Sequence, residues 1–149
     1  MNKLLIVSFI IFCPMLVQAE SFKKVGIGKE YGEPIYAGTA TLSGTYTRNY
    51  EDYTVMGIES PVCFEPDLED KRNNVILPLS TRFCFSNSQH AHKLLNLPIK
   101  AKQGCFYEGK ATIKIKNFSN YSSLDETGFD ITKLEAVSHV SPPKMTCDE

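Results

Sequence analysis

The chain has 149 residues, of which 42% are hydrophobic and 22% are charged, and its formal net charge at pH 7 is −1. This length suits one domain rather than several. The nearly balanced charge argues against a protein that binds nucleic acid through a strongly basic surface.

The first nineteen residues have the pattern of a secretory signal peptide. Residues 1–3 are a short basic start, residues 4–17 are almost wholly apolar, and the small residue Ala19 predicts cleavage between Ala19 and Glu20. The apolar run is too short to span a membrane. We therefore predict an exported mature chain, periplasmic or secreted, with no membrane span after cleavage.

The four cysteines that follow this segment predict two disulfides, because an exported chain enters an oxidising compartment. Cys63, Cys84, Cys105 and Cys147 contain no C-x-x-C pair, which argues against a thioredoxin-like motif and against a zinc ribbon. Four cysteines allow three connectivities, and the sequence alone does not choose among them. We prefer Cys84–Cys105, which would join the ends of a short helix, with Cys63–Cys147, which would hold the tail.

The first half of the mature chain has strand patterns after an irregular lead-in at residues 20–35. Residues 39–47 alternate apolar and polar side chains, the period of a half-buried strand, and Gly44 within them predicts a bulge or sharp bend. Residues 49–52 predict a polar turn. Residues 53–64 predict a second strand.

The middle of the chain predicts a loop, a strand and a helix. Residues 65–74 are strongly charged and predict a loop. Residues 75–79 predict a third strand, which a proline restricts to an edge or a bulge, and residues 83–85 would extend it. Residues 86–97 are the one good helix candidate of this region.

This predicted helix has a cap and two histidines. Ser86 or Ser88 could cap its start, and Pro98 ends it. His90 and His92 are two positions apart and diverge on a helix, so one metal ion is not easily held by both. We expect both histidines to face solvent.

The second half contains the clearest strand of the chain, residues 105–118, with apolar and lysine side chains on opposite faces. Residues 117–130 predict a polar, serine-rich loop. Residues 131–140 fit either a strand or a helix capped by Asp130. We prefer the strand, because it would complete a sheet whose other members are strands.

Five strands with a short helix between the third and the fourth are the layout of an OB-type barrel. We therefore predict a mainly β fold: a five-stranded OB-like barrel with one short helix and two disulfides. Closing the sheet into a barrel would remove its exposed edges. Residues 36–149 would form this single domain.

Three short motifs follow one another along the chain: GTATLSG at residues 38–44, ESPVC at residues 59–63, and GKATIKI at residues 109–115. In this the chain resembles small exported bacterial proteins built on an OB-type domain of unknown function. The resemblance extends over residues 36–140 and implies a fold rather than an activity. Many members carry a histidine-rich loop after the third motif, whereas residues 121–128 hold no histidine.

Two groups of side chains are candidates for binding. Lys110, Lys114 and Lys116 form a basic stripe on the outward face of the predicted 105–118 strand. Tyr50 and Tyr53 flank a predicted turn, and tyrosines make rigid, amphipathic contacts. The stripe suits an anionic glycan or a partner protein. We expect no nucleic acid, since the mature chain is slightly acidic.

Catalytic chemistry has no recognisable motif here. There is no G-x-S-x-G elbow, and the cysteines are expected to be oxidised. Four carboxylates within residues 65–70 lack the glycine of a calcium loop. We therefore expect no catalytic residue, no metal and no cofactor.

The sequence thus predicts an exported, non-enzymatic binding domain that recognises a protein or glycan partner in the cell envelope. Its contacts would come from the barrel face and from the loops at residues 47–53 and 117–130. One alternative is an inhibitor or immunity-type protein that acts against an envelope-directed hydrolase or toxin. Another is a weak hydrolase whose site is assembled from scattered residues.

Overall fold

The computed structural model describes residues 22–49, 54–73, 82–98, 100, 102, 104–124 and 129–147. Within them, no helix is long and apolar enough to cross a membrane. The elements in chain order are β1 (Phe22–Ile27), β2 (Pro34–Arg48), β3 (Thr54–Val55), β4 (Ile58–Glu59), β5 (Val62–Pro66), α1 (Leu68–Asn73), β6 (Phe83–Phe85), α2 (Ser88–Leu94), β7 (Cys105–Ser119), β8 (Asp130–Ser138) and β9 (Lys144–Cys147).

Five strands close into a barrel in the order β2-β5-β6-β8-β7, and β7 pairs back onto β2. If these five strands are numbered 1 to 5 in chain order, their order around the barrel is 1-2-3-5-4, and strand 4 pairs with strand 1. The pairings within the barrel are antiparallel except for β6 with β8, which is parallel. With α2 between the third and the fourth strand, this confirms the predicted OB-like barrel. β1 and β9 extend the sheet beyond β2 and β7.

The barrel interior is filled by alternate residues of its strands. Burial alternates along β2 from Ala40 to Arg48, and the predicted inward face of β7, which contains Ile113 and Ile115, is fully buried. Four phenylalanine rings pack in the core, and the centroids of Phe64 and Phe83 lie 5.7 Å apart. The alternating patterns therefore indicated the correct faces of both long strands.

Gly44 does not form the predicted bulge. The irregularity in the pairing of β2 with β7 lies between Tyr36 and Thr39 instead. A Cβ atom at Gly44 would lie 2.2 Å from the carbonyl oxygen of Glu65, so the glycine permits β5 to approach β2 closely.

Three predictions of local structure are wrong. The lead-in at residues 20–35 is not irregular, because it contains β1, which pairs with the start of β2. Residues 53–64 do not form one strand, because β3 and β4 turn back on each other before β5. The predicted loop at residues 65–74 contains the last residues of β5 and α1, which makes a second helix. β1 and Leu68–Glu69 of α1 are largely exposed. Neither segment therefore has the periodic apolar residues by which a strand or a helix is predicted from sequence.

Other predictions hold in outline. Residues 83–85 form a strand, the preferred strand at residues 131–140 is β8, and the helix predicted over residues 86–97 is the shorter α2. Asn87, rather than Ser86 or Ser88, occupies the position before α2, and it makes no side-chain capping bond. The strand predicted at residues 75–79 lies outside the described residues, as does most of the turn predicted at residues 49–52.

Two disulfides are present, as predicted, but the preferred connectivity is wrong. Cys63 is bonded to Cys84, and Cys105 is bonded to Cys147. Each pair lies directly opposite on neighbouring strands, β5 with β6 and β7 with β9. Cys84 and Cys105 are not bonded to each other, because β8 lies between β6 and β7 in the sheet. Two disulfides fit an oxidising compartment.

Candidate functional site

A cleft separates the β3–β4 hairpin from α2. The hairpin turns through Met56 and Gly57, whose φ angles of 48° and 76° belong to the tight turn that best joins antiparallel strands. The cleft encloses about 680 Å³ and is lined by residues 57–60, by residues 86–90 and by His92 and Lys93. This volume lies within the range of small-molecule sites, about 300–1,000 Å³. We call it the α2 cleft.

The base of the α2 cleft is held by hydrogen bonds between the two elements. The Ser88 hydroxyl donates to the carbonyl oxygen of Ser60 over 2.7 Å. The two ring nitrogens of His92 lie 3.1 Å from the Ser60 carbonyl oxygen and 3.0 Å from that of Pro98. These contacts fasten the end of the hairpin to α2, so the distance across the cleft is set by the fold.

Asn87 fixes the start of α2 to the barrel wall. Its Nδ2 donates to the carbonyl oxygen of Leu134 over 2.8 Å, and its Oδ1 accepts from the Leu134 backbone N–H over 2.9 Å. The asparagine side chain thus bonds to both backbone groups of Leu134, as a residue on a neighbouring strand would do. It explains why the asparagine side chain does not cap the helix.

The rim of the α2 cleft offers polar side chains to solvent. Glu59, Gln89, His90 and Lys93 line it and are exposed. Together they provide hydrogen-bond donors, acceptors and charges of both signs. The rim can therefore bind a polar ligand.

The two histidines of α2 have different environments. His90 is exposed as expected, but His92 is 3% exposed and its ring is used in the contacts with Ser60 and Pro98. The expectation that both histidines face solvent is wrong, because α2 packs that side against the hairpin. Among the described residues, no group of three or more histidine, cysteine, aspartate or glutamate side chains is placed to hold a metal ion.

The predicted basic stripe lies on the outer face of β7, where Lys110, Lys114 and Lys116 are exposed. Lys110 forms an ion pair with Asp67 at 3.1 Å, and Lys116 approaches Glu135 at 3.8 Å. These acidic neighbours reduce the positive charge of this β7 face. No ion pair joins Lys114 to another residue within the described ranges. No residue of β7 lines the α2 cleft.

The two predicted binding tyrosines, Tyr50 and Tyr53, lie outside the described residues. The predicted loops at residues 47–53 and 117–130 are described only in part. The α2 cleft was missed because its two walls are about thirty positions apart in the sequence. The sequence does contain one local indication of the hairpin wall, because Gly57 between two apolar residues is typical of a hairpin turn.

A second polar group, which the sequence did not suggest, joins the turn after β1 to the turn after β7. Glu33 is 5% exposed, and the Tyr121 hydroxyl donates a hydrogen bond to its carboxylate. Tyr31 stands edge-on to Tyr121, with the ring centroids 5.9 Å apart, and its hydroxyl bonds to Glu30. We call Glu30, Tyr31, Glu33 and Tyr121 the Glu33 cluster.

Burial and the nearby carboxylates make both phenols of the Glu33 cluster harder to ionise. Burial, followed by the hydrogen bond and charge of Glu33, raises the pKa of Tyr121 to about 12. The hydrogen bond to Glu30, followed by the charge of Glu30, raises the pKa of Tyr31.

Replacing Tyr121 with phenylalanine is expected to reduce the alkaline sensitivity of the fold. A pKa raised from 10.0 to about 12 means that the folded state holds the phenol proton more tightly than the unfolded state. The resulting stabilisation is complete below about pH 10 and is lost towards about pH 12. The difference in unfolding free energy between wild type and Tyr121→Phe should therefore shrink over that range in urea titrations.

A Tyr107→Phe variant on β7 is the matched control, because it keeps the contact between Glu33 and Tyr121. A constant difference between wild type and Tyr121→Phe across the alkaline range would contradict the raised pKa of Tyr121. The lysines lose their protons over the same pH range. Because wild type and both variants contain the same lysines, the lysine contribution cancels when their free energies of unfolding are subtracted.

Comparison with known proteins finds no matching family model, no similar curated protein and no similar solved structure.

Proposed function

We propose that this chain is an exported, non-enzymatic binding domain of the bacterial cell envelope, which recognises a protein or glycan partner through the α2 cleft. The observation that carries the proposal is the cleft itself, a groove of about 680 Å³ with polar side chains on its rim. Its exposed rim carries groups that can donate and accept hydrogen bonds.

The base of the cleft supports a role in binding because it is rigid. The side chains of Ser88, His92 and Asn87 already bond to backbone groups of the hairpin, of the segment after α2 and of β8. A partner would therefore meet a site that is organised before it arrives. Binding to such a site loses less conformational entropy than binding to a mobile surface.

The position of the cleft in the barrel agrees with this role. One wall belongs to the connection between the first and second barrel strands, and the other follows the third strand. OB-type barrels bind oligonucleotides and oligosaccharides on a face that includes the loop after the first strand. This is an analogy between folds, and it supports the proposed location of the site but does not identify a ligand.

Export to the periplasm is part of the proposal. The pattern at residues 1–19 supports it, and so do the two disulfides, which persist in oxidising compartments. The resemblance to small exported bacterial proteins agrees with the same location.

The test compares two pairs of substitutions for binding to envelope extracts and to a panel of envelope glycans. In the first protein, His90→Ala and Lys93→Glu alter the rim of the α2 cleft. In the second, Lys114→Glu and Lys116→Glu reverse the charge of the β7 face. We expect the cleft variant to lose about tenfold in affinity, because rim contacts are removed, and the β7 variant to bind as wild type.

The opposite result would move the binding site to the β7 face and overturn the assignment of the cleft. All four substituted side chains are exposed, so both variants are expected to fold. Unfolding curves measured alongside would check this.

A further inference from the structure

The free edge of β4 faces the α2 cleft. Ile58 and Glu59 of β4 line the cleft, whereas no residue of β3 does, so β4 is the strand nearer to α2. Within the described part of the chain, β3 and β4 form a sheet of two strands, and β4 has no second neighbouring strand. The backbone groups on that edge are therefore available to a partner.

The register of the hairpin identifies these backbone groups. Val55 lies opposite Ile58 across the two-residue turn, and Thr54 lies opposite Glu59. The pair that closes such a turn is hydrogen-bonded, and hydrogen-bonded and non-hydrogen-bonded pairs alternate along antiparallel strands. The N–H and the C=O of Glu59 therefore point away from β3. Among the described residues, neither group has a hydrogen-bond partner outside the hairpin.

The two walls of the cleft carry opposite charges. Glu59 lies on the hairpin wall and Lys93 on the α2 wall, and both residues are exposed. Within the described ranges, no ion pair joins them to each other or to a third residue. Each charge is therefore met only by water and salt, and each can attract an opposite charge on a ligand.

We propose, building on the proposed function, that the α2 cleft binds an extended peptide segment as a third strand beside β4. The segment would carry a basic side chain near Glu59 and an acidic side chain near Lys93. A peptide offers an N–H donor and a C=O acceptor at each residue, which match the two outward backbone groups of Glu59. The partner is therefore a protein that presents an extended segment with charges of both signs.

A glycan fits the same cleft less well. A neutral glycan has no charge to meet Glu59 or Lys93. An anionic glycan would be attracted by Lys93 but repelled by Glu59. Only a ligand with both charges uses both walls.

The experiment titrates four blocked pentapeptides into the protein, isotope-labelled for NMR. The first has lysine at its second position, glutamate at its fourth and threonine elsewhere; the others replace the lysine, the glutamate or both with glutamine. We expect saturable shifts of the Glu59 amide signal, because strand addition gives that N–H a new acceptor. Each charge in the peptide should strengthen binding about threefold, the effect of one solvent-exposed ion pair.

Two variants assign each charge to its wall. Lys93→Gln should remove the preference for glutamate over glutamine in the peptide and keep the preference for lysine. Glu59→Gln should do the reverse. Lys114→Gln is the matched control, because Lys114 is an exposed lysine of β7 outside the cleft, and it should keep both preferences. All three side chains are exposed, so the variants are expected to fold.

Peptides that bind without shifting the Glu59 amide would overturn the proposal, and so would charge preferences that persist in both Lys93→Gln and Glu59→Gln. If no peptide binds, but an envelope glycan binds and loses affinity in the protein with His90→Ala and Lys93→Glu, the occupant is a glycan. That result overturns the peptide but leaves the proposed function intact. If that same protein binds every glycan and extract as wild type, the proposed function fails as well.

Discussion

Phe83→Ala is expected to destabilise the protein by about 3–5 kcal/mol, the largest effect of any single substitution proposed here. Phe83 is fully buried, and its ring packs against those of Phe64, Phe85 and Phe118 at centroid distances of 5.7, 6.0 and 6.3 Å. Alanine would leave a cavity between strands that the barrel holds at fixed separations. The neighbouring rings can therefore fill it only in part.

Equilibrium unfolding in urea measures this loss. Leu68→Ala is the control, because Leu68 is 70% exposed and its removal should change the free energy of unfolding by no more than about 0.5 kcal/mol. Equal losses in the two variants would show that Phe83 does not lie at the centre of the barrel core.

The second large effect is expected from the disulfides. Replacing Cys63 and Cys84 with alanine opens a link between residues 21 positions apart, and replacing Cys105 and Cys147 opens one between residues 42 positions apart. Loop-closure entropy predicts losses of about 3 and about 4 kcal/mol, because the longer loop is more restricted in the unfolded chain. Urea unfolding of the two double variants measures both values.

The same two bonds should differ in their reaction with a mild reductant. Cys63 and Cys84 are 4% and 0% exposed, whereas Cys147 lies on β9, whose residues are all exposed. We expect Cys105–Cys147 to be reduced first in the folded protein, because a thiolate must reach a sulfur atom to attack it. Alkylation followed by peptide mass spectrometry identifies the order, and earlier opening of Cys63–Cys84 would contradict the burial of that bond.

The same peptide map tests the barrel topology. A link between Cys84 and Cys105 would require β6 and β7 to be neighbours, and β8 would then lie elsewhere in the sheet. The pairing found in the structure follows from strand order and register, since each bonded pair lies directly opposite on adjacent strands.

The sequence predicted the elements that have one buried face and one solvated face. Within β2 and β7, alternate residues enter the core, so the period of two is visible in the sequence itself. The outward direction of Lys110, Lys114 and Lys116 follows from the same alternation. These features depend on neighbours along the chain, which is why they could be predicted.

Prediction failed for β1, β9 and α1, whose described residues show no alternation of buried and exposed side chains. β9 is exposed along its whole length, and β1 is exposed beyond Phe22, so neither has an apolar alternation. α1 begins with the exposed Leu68, and its first turn carries Glu69 and Asp70, which interact favourably with the start of a helix but also suit a loop. Pairing with a longer strand decides the structure of β1 and β9.

The sequence by itself determined a mainly β barrel with a helix before its fourth strand, four cysteines in two bonds and the outward lysines of β7. Only the tertiary structure decided which cysteines pair, which acidic residues face those lysines, and that the hairpin meets α2. It alone joined Glu33 to Tyr121, which lie on turns far apart in the chain. The physical reason is that periodicity reports whether a residue is buried, whereas contacts between distant residues depend on the order and register of the strands.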